Sequence, residues 1–93
     1  MLRVSGYGQS GPLALRPGHD LNYLSVSGII PLINPKNGVP QFPTNYLADF
    51  VSSSLGITAT LSALLISKQT GIGRVVDCSL TNGAEYLAQL ISN

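Results

Sequence analysis

Charge is what this chain most lacks. Of its 93 residues only 10% are Asp, Glu, Lys or Arg, against a usual share of about 25%, while 44% are apolar. So thinly charged a surface does not suit a solvated domain standing alone. Five Lys/Arg and four Asp/Glu leave a net charge of +1 with no basic cluster, so neither a nucleic acid nor an anionic membrane surface is expected as a partner. Cysteine is nearly absent. Cys78 alone cannot form an internal disulfide, a reducing intracellular setting is the default, and inside "RVVDCSL" the thiol reads as packing before it reads as a nucleophile. No His/Cys/Asp cluster has metal-ligand spacing, and no GxSxG elbow is present. The glycine-rich "GYGQSGP" lacks both the GxGxxG spacing and the P-loop lysine of a phosphate cradle. The first residues, "MLRVSGYGQSG", hold no apolar run of signal-peptide length, and there is no internal repeat. A chain of this length can hide only roughly 60 to 65% of the surface it exposes when unfolded, which excludes a large enzyme core.

What is present reads in order as strand, helix, helix, strand, helix, an α/β layer. "LRV" at residues 2–4 ends a strand, and "SGYGQSGPLALRPG" breaks it. Residues 19–27 form a short helix stopped by Gly28. "GIIPLINPKNGVPQFP", with four prolines, is expected to be an irregular connection. Thr44-Asn45 opens a long helix running to about Lys68. Leu47, Phe50/Val51, Leu55, Leu61 and Leu65 lie along one stripe of it, and Ser52, Ser53, Gly56, Thr60 and Ala63 form a small-residue face that lets another backbone come close. Residues 47–66 also have bilayer length with Asp49 as their only charge, but six Ser/Thr and a glycine favour a buried helix of a soluble fold. "TGIG" ends this helix, "RVVDCSL" alternates into a strand, and "TNGAEYLAQLISN" begins a last helix with Asn82 and Glu85 at capping-box spacing. Low charge and two cut-off ends suggest an internal fragment of a larger protein.

Few residues could do chemistry. His19, the single histidine, titrates near pH 6.5 when unperturbed and can exchange a proton at physiological pH. Asp49 falls in the first turn of the long helix, where the macrodipole favours its ionised form, so an apolar neighbourhood must raise its pKa if it is to act as an acid. On opposite sides of one carbon, such a pair could remove a proton from one face and return it to the other. Spacing alone also allows His19 to be a cap or a satisfied polar residue, and Asp49 to match only its helix dipole. Asp20 reads as a first-turn helix residue, and Tyr23 and Tyr46 can pack or bind.

Four motifs, "RVSGYGQSGP", "GHDLNYLSVSG", "NYLADF" and "KQTGIGRVVDCSL", occur in this order over nearly all 93 residues. Together they resemble the family III CoA-transferases, CaiB/BaiF-like proteins, and most closely their alpha-methylacyl-CoA racemase branch. The resemblance implies a partial CoA-transferase family III domain over residues 1–93, the central catalytic segment, with N- and C-terminal parts absent. Its fold would be a fragment of that α/β architecture, with one long buried helix, a short helix and parallel-sheet strands. It implies His19 and Asp49 as the two catalytic bases, inverting C2 of a 2-methylacyl-CoA through an enolate. Gly18, Asp20 and Tyr23 would contact substrate, the Gly18 turn aiming backbone N–H groups around His19 and Asp20 at the enolate oxygen.

No cofactor or metal is implied beyond the coenzyme A carried by the acyl-CoA substrate. The full-length protein would be an interlocked homodimer without a nucleic-acid or membrane partner. It would be intracellular: mitochondrial or peroxisomal in a eukaryote, cytoplasmic in a bacterium. The chain departs from the family in Arg74, where glutamine is common, and in Ser52, Ser53 and Ser54, where glycines are common, so that serines could narrow the approach of the CoA chain. Two other functions stay open: a family III CoA-transferase using Asp49 as an acyl-anhydride nucleophile, and a packing or dimerisation fragment that catalyses nothing.

Overall fold

The computed structural model describes residues 1–91. Ser92 and Asn93, the end of the helix expected from Thr81, lie outside the described residues. Six elements follow in chain order: β1 (Leu2–Ser5), α1 (Asp20–Val26), α2 (Ile29–Leu32), α3 (Leu47–Thr70), β2 (Val76–Ser79) and α4 (Leu80–Ile91). The two strands pair in parallel, with Leu2 opposite Val76 and Ser5 opposite Ser79. A parallel pair needs a long crossover, and here α1, α2 and α3 supply it.

Local chemistry explains most boundaries. Gly28 (φ 80°) and Gly71 (φ 73°) take the left-handed conformation just beyond α1 and α3, and the Gly71 N–H returns to the Ser67 carbonyl at 2.8 Å. The start of α4 is anchored twice, since both the backbone N–H and the hydroxyl of Thr81 donate to the Gly6 carbonyl, at 3.0 and 2.9 Å.

The small-residue face of α3 is the one that packs, apart from Ser53, expected on that face but exposed. Ala48, Ser52 and Gly56, each four residues apart, are its buried positions. Gly83 of α4 lies so close to Ser52 that a β-carbon there would overlap the serine hydroxyl. The same hydroxyl donates to the Leu80 carbonyl at 3.2 Å, and the Cys78 thiol donates to the Ser52 carbonyl at 3.2 Å. Five other hydroxyls of α3 turn back onto carbonyls four residues earlier, such as Ser53 onto Asp49 and Ser54 onto Phe50, which satisfies polar groups on an apolar helix.

Four expectations need correction. The proline-rich connection contains α2, because Pro31 sits in its first turn, where a missing N–H costs nothing. The long helix opens at Leu47 with Tyr46 as its N-cap, so the Thr44-Asn45 pair does not cap it. Asn82 and Glu85 form no capping box, since α4 has already begun at Leu80; the Asn82 N–H instead donates to the Ser79 hydroxyl at 3.1 Å. The expected burial of the long helix extends only to its narrow small face, and the leucine stripe is largely exposed, Phe50 at 72% and Leu61 at 62%.

The core these elements share is correspondingly slight: Tyr23, Leu24, Ile29, Ala48, Ala84 and Ala88. The radius of gyration is 15.2 Å, against about 12 Å for a compact chain of this length. The longest dimension is 54 Å, of which the 24-residue α3 can span about 36 Å.

Candidate functional site

His19 is the N-cap of α1, in extended conformation, where the polypeptide leaves the Pro17-Gly18 turn. Its backbone N–H donates to Asn22 Oδ1 at 2.9 Å, and its carbonyl accepts the N–H groups of Asn22 and Tyr23. Beneath this turn lies Tyr23, 4% exposed and in edge-to-face contact with Tyr7 at 5.1 Å between ring centres. A β-carbon on Gly18 would come within 2.9 Å of both Tyr23 Cε1 and the Tyr7 hydroxyl, so only glycine lets the turn settle onto the rings. Tyr23 is therefore a core residue that supports the histidine's turn.

Asp49 is the third residue of α3. What joins it to His19 is Asp20, whose side chain is 4% exposed and whose Oδ1 accepts the Asp49 N–H at 3.1 Å. Burial pushes the Asp49 carboxyl above the ordinary carboxylate range, the negative charge of Asp20 pushes the same way, and the charge of His19 opposes them. The shift is in the direction an acid in a helix's first turn needs. Burial also raises the Tyr23 phenol, helped by Tyr7 and by Asp49, so the two side chains feel one another.

An open groove of about 650 Å³ runs beside Asp49, lined by Asn45, Tyr46, Leu47, Phe50 and Ser53. His19 is outside its lining. Of the three serines expected to narrow it, only Ser53 reaches the groove, Ser52 being buried against α4. The sequence reading missed Asn45 and Phe50 as lining residues, having given them to a helix cap and to the leucine stripe; Tyr46 and Ser53, at i−3 and i+4 from Asp49, stand with it on one helix face.

His19, Asp20 and Asp49 are thus gathered at one place, with Gly18 and Tyr23 shaping the turn beneath. Of the two expected oxyanion donors, the His19 N–H is occupied by Asn22, while the Asp20 N–H belongs to the first turn of α1, where no intrahelical acceptor exists. No group of three or more metal-ligating side chains occurs among the described residues. Cys78 is half-buried, and its thiol is pushed up by burial and by Asp77, which suits packing.

The chain has well-defined relatives. Alpha-methylacyl-CoA racemase of Homo sapiens is 38% identical over 90 residues, 96% of this chain and 24% of that protein. The beta subunit of succinyl-CoA–L-malate CoA-transferase of Chloroflexus aurantiacus is 41% identical over 81 residues, 86% of this chain and 20% of that protein. Among solved structures, a CAIB/BAIF family protein from Brucella suis superposes with a TM-score of 0.86 at 28% identity, covering 92% of this chain and 23% of that one. The chain spans about a quarter of the length of the curated relatives it matches. Racemase and transferase relatives stand at similar identity. With residues 1–92 matching the family model and the fold matching solved members, the chain belongs to CoA-transferase family III.

Proposed function

We propose that the full-length protein is a racemase-like isomerase that epimerises C2 of 2-methylacyl-CoA thioesters by two-base proton transfer. One juxtaposition supports it: a histidine at the start of α1 and a desolvated carboxyl in the first turn of α3, joined through Asp20. The raised Asp49 pKa brings its basicity toward that of an imidazole, which suits two groups that exchange acid and base roles.

In the forward direction one group takes the C2 proton, and the electron pair moves onto the thioester oxygen to give an enolate. In this reading the Asp20 N–H, in the first turn of α1, donates to that oxygen; losing one such donor typically costs about 2.7 to 4 kcal/mol of transition-state stabilisation. The other group then returns a proton to the opposite face. Phe50 and Leu47 give the groove an apolar side for the acyl chain.

A second reading keeps the fold and makes Asp49 the nucleophile of a CoA-transferase. The groove favours it in one respect, since Asp49 lines it and His19 does not. Incubating the full-length protein with a 2-methylacyl-CoA in deuterium oxide separates the two. Deuterium at C2 with inversion is expected, and both His19→Ala and Asp49→Ala should abolish racemisation while either retains exchange from one epimer. CoA transfer to a free acid with no deuterium at C2, or an acyl adduct trapped on Asp49, would establish the transferase instead.

A further inference from the structure

The first turn of α3 lacks a cap of its own. Its N-cap residue, Tyr46, has no side-chain oxygen within reach of the helix's first N–H groups and makes no capping bond. The N–H of Asp49 is one of those that no intrahelical carbonyl can satisfy. It is satisfied from 29 residues away, by the Asp20 carboxylate at 3.1 Å. A nearly inaccessible carboxylate is costly to bury without such a partner. It begins α1 immediately after His19, so the bond links the two residues of the site through one side chain.

We infer that Asp20 is a positioning residue of this site: its carboxylate is the cap that α3 lacks, and that bond sets Asp49 relative to His19. The inference rests on the two-base reading for its effect on rate, but the bond itself does not. A like charge beside Asp49 is the second consequence. The groups acting on Asp49 are Asp20, His19 and, from the same helix, Tyr23. On β2, Asp77 acts on Cys78 instead; Glu85 of α4 is exposed, and Lys68 sits in the last turn of α3.

Two substitutions in the full-length protein separate cap from charge. Asp20→Asn keeps an acceptor oxygen and removes the charge; Asp20→Ala removes both. With carbon-13-labelled aspartate and the Asp49→Asn spectrum for assignment, the Asp49 carboxyl should titrate at lower pH in Asp20→Asn than in the parent. C2 deuterium exchange should fall about a hundredfold in kcat in Asp20→Ala and by clearly less in Asp20→Asn, with KM little changed in both, as for a displaced base. An unmoved Asp49 titration, full exchange in Asp20→Ala, or equal loss in both variants would overturn the inference. If Asp20→Ala does not fold, the Asn variant alone decides: retained exchange with a lowered titration upholds the cap, and lost exchange or an unmoved titration overturns it. A parent that titrates as expected but never exchanges C2 would remove the two-base reading and leave the tie between Asp20 and Asp49 standing.

Discussion

Replacing Gly83 by alanine would put a β-carbon on α4 where Ser52 of α3 already lies. The serine hydroxyl could rotate aside, but its Cβ and Cα would remain at 3.0 and 3.1 Å, too close for the helices to keep their spacing. Overpacking of this kind costs about 1 to 3 kcal/mol, and contact with backbone puts it at the upper end. Alanine in place of glycine inside a helix returns about 1 kcal/mol. The net expectation is a loss of about 2 kcal/mol, roughly a thirtyfold fall in the folded-to-unfolded ratio. Gly56, also inside a helix and also buried, should answer oppositely. Its β-carbon would meet nothing nearer than the Cys78 sulfur at 3.5 Å, an ordinary contact, so Gly56→Ala should stabilise by about 0.5 to 1 kcal/mol. Urea unfolding of the full-length protein checks both, read from midpoints at unchanged slope. If Gly83→Ala unfolds at the parent's midpoint or above, or Gly56→Ala below it, the α3–α4 spacing described above is wrong.

Asp49 should carry a stability cost at neutral pH. Its folded pKa is raised, so its favourable contribution is complete below the ordinary carboxylate pKa and is lost as pH rises through the folded value. Asp49→Asn should therefore raise the urea midpoint at about pH 7 more than at about pH 2.8, and an equal effect at both would contradict the desolvation (the upper test pH lies well above the usual aspartate value and the lower about one unit below it). Residues 1–93 expressed alone should associate and unfold without a sharp transition, because α3 exposes Phe50, Ile57, Leu61, Leu64 and Leu65. A monodisperse monomer by sedimentation with cooperative thermal unfolding would refute that.

Elements bounded by glycine were legible in the sequence, because Gly28 and Gly71 stop helices by a conformation few other residues adopt. The small face of α3 was legible at Ser52 and Gly56, whose small side chains allow close approach, but not at Ser53, which faces the groove instead. The cap of α3 was not, because it comes from Asp20, and a bond spanning 29 residues leaves no local trace. Nor was α2, where counting prolines hid the fact that a first-turn proline is compatible with a helix. His19 and Asp49 could be named as a pair from their motifs, but Asp20, which joins them, was read as the start of a helix and, from the resemblance, as a substrate contact through its backbone, never as a tie between the two.

The pairing of β1 with β2 has a consequence in time. Met1 and Arg74, bonded at its edge, are 73 residues apart, and closing so long a loop costs about 4 kcal/mol of chain entropy before any strand contact repays it. His19, Asp20 and Asp49 all lie inside that loop. Until β2 is seated, the small face of α3 lacks one of the elements it packs against, so the final packing around the site's two helices is completed late in folding. A change in Leu2–Ser5, far from any chemistry, would then act on the rate at which competent sites appear.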